Sequence, residues 1–525
     1  MRRRIEMFGP TLKNALVVML LLAAAAPVLH AQTTDTSLAR LAEAVEAINR
    51  DQLQQAERLL NAVLTASPND PDALNLLGVV RAKQDRTAEA EQLFRRALAR
   101  SPAHLGAHIN LSELLLTTNR SAEAMQVLLR AHKLAPDRAE INLNIATLYA
   151  DKGEYQQARE HLRLVPPAAV TDDYFLVMLK SLIGLKRPEE VRALVAEFQK
   201  FNPRQPETHA EFAMLLVKAG FNDDALNILN SARQDGTSFP IVYALGVVNA
   251  ATKQYDKAEE YLTAALKLKP GDVATLRALA RVARATGNLE KALSHLVEAR
   301  RVAPDSAAVL YDFGVTTLQM GLVLDALPAF ERLHRDHPRE PAYLYALAAA
   351  HWTKGEIVET TRLLNDYVAL QPRDPAGFYL LGAALLRQQR IADAQVALQR
   401  SLSLKADPDT EYLIGVSFEK AGNRAAAINT FRRVVESRPD HAAAHAALGS
   451  AYREAGNYAE ARLELERAVE LDANDLRANY QLGLVYAKLG EKDAAKKMFD
   501  RADELRSRQR DQERVILKLA EPPQN

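Results

Sequence analysis

The chain has 525 residues, a charged fraction of 25% and a formal net charge of +1, a mixed surface with no global attraction for nucleic acid or an anionic membrane. It contains no cysteine, which excludes a disulfide framework, a thiolate nucleophile, a cysteine-based zinc site and lipid attached to cysteine.

Residues 1–31 differ from all that follows. Arg2, Arg3, Arg4 and Lys13 precede an apolar run from Ala15 to Pro27, which leads to Leu29-His30-Ala31. This reads as a secretory signal peptide with cleavage after Ala31 and delivery to the periplasm or the exterior. The run falls short of the about 20 apolar residues that span a bilayer, although Leu29 is bulkier than the residue preferred at that point and leaves an uncleaved anchor as the rival reading. Residues 32–36 then form a short disordered lead.

From Ser37 to Ser507 a unit of about 34 residues recurs, in copies that open at Ser37, Pro71, Leu105, Ala139, Asp172, Pro206, Phe239, Val273, Ala307, Pro341, Pro375, Pro408, Ala442 and Leu476. Each unit holds two apolar runs at helical spacing, parted by a break that often carries glycine, as at Gly153, Gly220, Gly287, Gly321, Gly355, Gly422, Gly456 and Gly490. The unit is therefore a helical hairpin and the fold class is all-α. In the copy at Phe239, Gly246 and Ala258 are small where two helices cross closely, Leu245 and Leu262 fill the space beside them, and Pro270 ends the second helix. The same small position carries Ala56, Ala90, Ala124, Ala158, Ala225, Ala292, Ala326, Ala394, Ala427, Ala461 and Ala495, with Val191 and Thr360 as departures. Pro328 falls inside a second helix and is expected to kink it.

These large and small positions resemble the tetratricopeptide repeat (TPR). The resemblance implies a right-handed superhelical solenoid of about fourteen helix-turn-helix repeats, each burying its apolar surface against its neighbours. Val165-Pro166-Pro167 shortens the fourth unit, so 166–173 is expected as a joint between an N-terminal arm, 37–171, and a C-terminal arm, 172–507. Residues 508–525 read as a capping helix and tail, in which Val515, Ile516 and Leu519 pack back on the last hairpin.

In proteins of this kind the first helix lines the concave surface, through positions two, five, nine and twelve of the unit. Carried over, position five holds Tyr243, Tyr311, Tyr345, Tyr379, Tyr412 and Tyr480, and position twelve holds Trp352, the sole tryptophan. That is an aromatic stripe suited to peptide or to sugar rings, set against the tendency of such repeats to place an aromatic there for packing alone. The N-terminal arm has Asn75, Ile109, Leu143, Leu176 and Ala210 at the same position, which makes an aliphatic groove unless tighter packing covers them. Arg277, Arg281 and Arg284, spaced by four and three, share one helix face. They form a candidate anion site for carboxylate or phosphate unless Glu259, Glu260 or Asp305 neutralises them. The carboxylate clamp of the family, lysine and asparagine at set positions of three consecutive units, has no counterpart here.

His104 with His108, and His441 with His445, have the spacing of helix metal ligands but no third ligand or catalytic glutamate between them. No phosphate loop, nucleophile elbow or cofactor motif is present. The expectation is a non-enzymatic, exported scaffold without cofactor or metal, binding an extended peptide or a partner helix. Alternatives are a periplasmic accessory of polysaccharide synthesis or secretion that binds an acidic glycan, and the substrate-binding arm of a separately encoded transferase.

Overall fold

The computed structural model describes residues 33–232 and 238–509. The segment 1–31, expected as a signal peptide, and the expected capping helix and tail beyond Gln509, with Val515, Ile516 and Leu519, lie outside them. Among the described residues there are 28 α-helices and a single 3-10 turn, and no strand. They follow in chain order as two helices to each of the fourteen repeat units, each unit opening at the residue the repeat marks, except that the first helix begins at Thr33. Thr33 to Thr36, expected as a disordered lead, are thus its first turn, because extending a helix that Leu41, Ala44 and Ile48 already anchor in the core is far easier than starting one. At the other end, Lys492–Gln509 is one continuous helix, so 508–509 extend the last hairpin and open no new element.

What closes most hairpins is a pair of small residues under one large one; in the fifth, Leu179 and Val191 take the two small positions. Counting from the start of a hairpin, position 20 is the alanine noted above, and Ala56, Ala90, Ala326 and Ala461 have no exposed surface. Val191 and Thr360 at that position are 1% exposed, and the Thr360 hydroxyl is satisfied by donating to the carbonyl of Glu356 at 3.0 Å. Position 8 faces position 24 of the second helix. A Cβ on Gly314 would stand 2.6 Å from Cε1 of Phe330, and one on Gly78 would stand 2.5 Å from the same atom of Phe94. Glycine is required there because the ring lies directly on the backbone.

Position 15 turns the chain between the helices. It has positive φ in all fourteen hairpins: 76 to 86° at the eight glycines named above, and 55 to 60° at Asp51, Asp85, Asn119, Lys186, Lys253 and Gln389. The following amide then reaches back to position 11, as in Glu356 N–H to His351 O at 2.9 Å and Arg390 N–H to Leu385 O at 3.0 Å, which is the Schellman closure of a helix end. First helices start on side-chain caps: Asp70, Asp272, Asp374, Asp407 and Asp475 each accept from a backbone amide of the first turn.

The fourth hairpin is the irregular one. Its second helix, Tyr155–Leu162, has 8 residues where most have 13 or 14, and the 3-10 turn Pro167–Ala169 leads into Asp172–Gly184. The chain divides into two compact units elsewhere, between Gln254 and Tyr255, within the seventh repeat of the sequence. In the first unit one core runs through buried residues from Leu41 to Leu148, and in the second another runs from Ala280 to Ile414. Helix Val323–Asp336 continues unbroken through Pro328. The amide that proline lacks would have served the carbonyl of Leu324, a residue 73% exposed, where water can take its place.

Candidate interaction face

In the second unit, successive first helices lie against one another: Val273–Ala285 on Ala307–Gln319, Pro375–Arg387 on Pro408–Lys420, and Ala442–Glu454 on Leu476–Leu489. Its second helices show no comparable packing among the described residues. The first helices therefore crowd the inner side of the local curvature. An ion pair confirms the crowding, since Arg477 Nη2 donates to Glu419 Oε1 at 3.0 Å from two hairpins away.

The position-five tyrosines stand on this face with one side of each ring held by the core. Tyr311 packs on Phe330 and Tyr343, with ring centroids 6.2 and 5.8 Å apart. Tyr412 packs on Phe431 and His441 at 5.8 and 5.1 Å, and Tyr480 on Phe499 at 5.7 Å. The phenylalanines are the position-24 residues that glycine at position 8 admits, so packing and surface share the same ring. Tyr311, Tyr379 and Tyr412 are half-buried, and Tyr480 is exposed. Tyr345 differs. It is 6% exposed, with its ring against Tyr367, and burial pushes its phenol up to about 12. It underlies the face without forming its surface. Tyr243 belongs to the first unit, where it stacks on Phe239 at 5.9 Å.

Trp352 is half-buried, with the Arg387 guanidinium 4.9 Å from its ring centroid. Its indole N–H is buried and has no acceptor, an unmet donor of the kind native proteins rarely leave.

The three arginines do lie on one helix, but the acid that meets them is not one of those expected. Arg277 Nε donates to Asp312 Oδ2 at 2.6 Å, and Arg281 Nη2 lies 3.6 Å from the same oxygen. Glu259 is taken by Lys291, and Asp305 by Arg332 at 2.6 Å. Asp312 sits at position six, which reaches back to position five of the preceding first helix, as Asn110 does to Asn75 at 2.9 Å. Two guanidiniums, those of Arg277 and Arg281, thus share one buried carboxylate, and Arg281 and Arg284 retain open donors.

On the first unit, Ile109 and Ala210 are buried and Leu143 and Leu176 half-buried, so the aliphatic row is largely covered. The face also carries carboxylates. Glu113 at position nine and Glu140 at position two are both held above the ordinary carboxylate range by burial, Glu113 at about 8 with the Glu140 charge adding to the effect. Asp173, again at position two, is raised by burial and by Asp172. A reading confined to position five misses these acids, whereas positions two and nine of the same register mark them.

The first histidine of each pair caps a helix. His104 Nδ1 accepts from Ala107 N–H at 3.0 Å while its Nε2 lies 3.1 Å from Asp72, and His441 repeats this with Ala444 and Asp409 at 3.1 and 3.2 Å. His108 and His445 turn Nε2 to the carbonyls of Pro102 and Pro439 at 2.9 and 3.1 Å. No group of three potential metal ligands gathers among the described residues, and no helix among them is long and apolar enough to cross a membrane.

Two family models, both described as tetratricopeptide repeat, match the sequence. One covers 41–104, 211–273, 311–359 and 412–475, and the other 81–131, 122–183, 250–311 and 452–512, together most of the chain. Solved structures with a similar fold include the Cut9–Hcn1 hetero-tetramer of the APC/C, with 17% identity, a TM-score of 0.46, and 90% of this chain and 96% of that chain covered. A tetratricopeptide repeat protein from Parabacteroides merdae has 17% identity, a TM-score of 0.40, and 44% and 93% coverage. MamA has 22% identity, a TM-score of 0.28, and 32% and 98% coverage. No curated protein matches the sequence.

Proposed function

Because the chain belongs to the tetratricopeptide repeat family, whose repeats mark protein-interaction scaffolds, we propose that its second unit holds an extended peptide or a partner helix along the inner face of its first helices. The observation that carries this reading is the repeated tyrosine at one register, Tyr311, Tyr379, Tyr412 and Tyr480, on helices that crowd together. Rings clamped on one side by Phe330, Phe431 or Phe499 lose little freedom on binding, so their contact area is realised at low entropic cost. The half-buried ring of Trp352, at position twelve of the same register, adds apolar contact area to the face. Arg281 and Arg284 suit an acidic residue in it.

A displayed peptide library selected on the purified protein tests the reading. Bound peptides are expected, with affinity reduced about tenfold or more by Trp352→Ala and by Tyr311→Ala. Arg281→Glu should end retention of acidic ones. Failure to select any peptide, or selected peptides indifferent to all three substitutions, counts against it. The basic and apolar run at 2–27 supports export as the setting. Amino-terminal sequencing of protein recovered from cell fractions checks that, with Gln32 expected as the first residue.

A further inference from the structure

The ion pair between Arg477 and Glu419 is unlike others of the second unit. Its partners are 58 residues apart, on the fourteenth and twelfth hairpins, so it reaches past the whole of the thirteenth. Two features allow this. The first helix between them carries Ala446 and Ser450 at the positions where its neighbour has Tyr412 and Val416, which leaves room above it, and the Ser450 hydroxyl is buried without a hydrogen-bond partner. Tyr412 lies within the field of both partners: burial raises its phenol, the Arg477 charge opposes the rise and the Glu419 charge adds to it. Tyr480, one turn along from Arg477, is 41% exposed.

The pair also differs in kind from Arg277 with Asp312. Asp312 is a short side chain, 5% exposed, at 2.6 Å from its arginine, a fixed counter-ion that no ligand displaces without leaving a buried charge behind. Glu419 and Arg477 are long side chains with 26% and 56% of their surface in water, and pairs with such access to solvent are weakly held. Glu419 therefore sits where a ligand carboxylate would sit and is free to leave.

We propose that Arg477, flanked by Tyr412 and Tyr480, is the receptor for a carboxylate of an acidic peptide, and that Glu419 fills it in the free protein as an internal stand-in. The inference rests on the scaffold reading above and adds to it the chemistry of the partner. Removing the Glu419 charge strengthens binding, since the ligand no longer competes with an attached carboxylate. Removing the Arg477 charge weakens it.

The test is fluorescence anisotropy of labelled hexaglutamate at low ionic strength with full-length protein. Glu419→Gln should bind about threefold to tenfold tighter, Arg477→Gln at least tenfold weaker, and the double variant like Arg477→Gln. Arg477→Lys, which keeps the charge and loses the planar fork, should fall between wild type and Arg477→Gln, and it decides the matter if Arg477→Gln melts early by circular dichroism. Equal weakening by Glu419→Gln and Arg477→Gln would show the pair to be a strut and overturn the proposal, as would hexaglutamate binding that ignores Arg477. Polygalacturonate bound in place of hexaglutamate would overturn the peptide assignment. Library-selected peptides that stay bound to Arg477→Gln would leave the scaffold reading standing and remove the receptor.

Discussion

Glu113 is a carboxylic acid set among packed first helices with no cation against it, and burial together with Glu140 lifts it to about 8. A group whose folded pKa lies above its unfolded value near 4.5 binds more protons in the folded chain. Its contribution is therefore fully present below pH 4.5 and is lost as pH rises through 8. Glu113→Gln, which has the shape of the protonated acid at every pH, should leave the melting temperature nearly unchanged at pH 4.5 and raise it at pH 8, by the equivalent of roughly 1 to 3 kcal/mol. A melting difference that is the same at both pH values would mean that Glu113 is solvated and carries its charge freely. Such residues set the limit of what sequence reveals about the site. The tyrosine register and Trp352 were legible because they repeat or are unique, yet nothing in the spacing says that Tyr345 turns into the core while Tyr480 stays out. Asp312 was missed as the partner of Arg277 because the acid lies 35 residues away, one repeat and one residue on. Such a pairing exists only once neighbouring hairpins are stacked.

At the scale of the hairpin, the turn at position 15 is the most regular feature of the molecule, and it is not always glycine. At Gln389 the backbone holds φ 59°, a region that costs an L side chain about 1 to 2 kcal/mol, and glycine returns part of that through the entropy of the unfolded chain. Gln389→Gly should stabilise the protein by about 0.5 to 1 kcal/mol, read as a higher denaturation midpoint. Gly355→Ala should cost about 1 kcal/mol, although nothing lies within 4 Å of where its Cβ would stand. That makes the loss purely conformational. A Gly355→Ala variant of unchanged stability would refute the account. The hairpins themselves were plain in the sequence because each link is local: apolar spacing gives two helices, Gly314 under Phe330 gives their crossing, and a capping Asp with a following Pro gives the next start. Even the break at Pro166-Pro167 announced the short helix Tyr155–Leu162. The division at Gln254 and Tyr255 gave no such sign, since the repeat passes through Lys253 and Tyr255 without a change of spacing.

Across the molecule, a solenoid has no single core whose loss unfolds everything; each hairpin gains its stability from its own closure and from the next. The buried residues bear this out, since Phe94 belongs to a core confined to the first unit and Phe330 to one confined to the second. Deleting either ring empties a site that glycine was required to admit, so neighbours cannot close over the void without moving a helix backbone. The loss should be at the upper end for such changes, about 3 to 5 kcal/mol. It should also stay local. Hydrogen exchange of Phe330→Ala is expected to show lost amide protection in Ala307–Gln319, Val323–Asp336 and the hairpins beside them, with amides around Gly78 and Ala90 unaffected. Phe94→Ala should give the converse pattern. If either substitution lowered protection evenly through both units, the chain would be unfolding as one cooperative body, and stability could not then be assigned hairpin by hairpin.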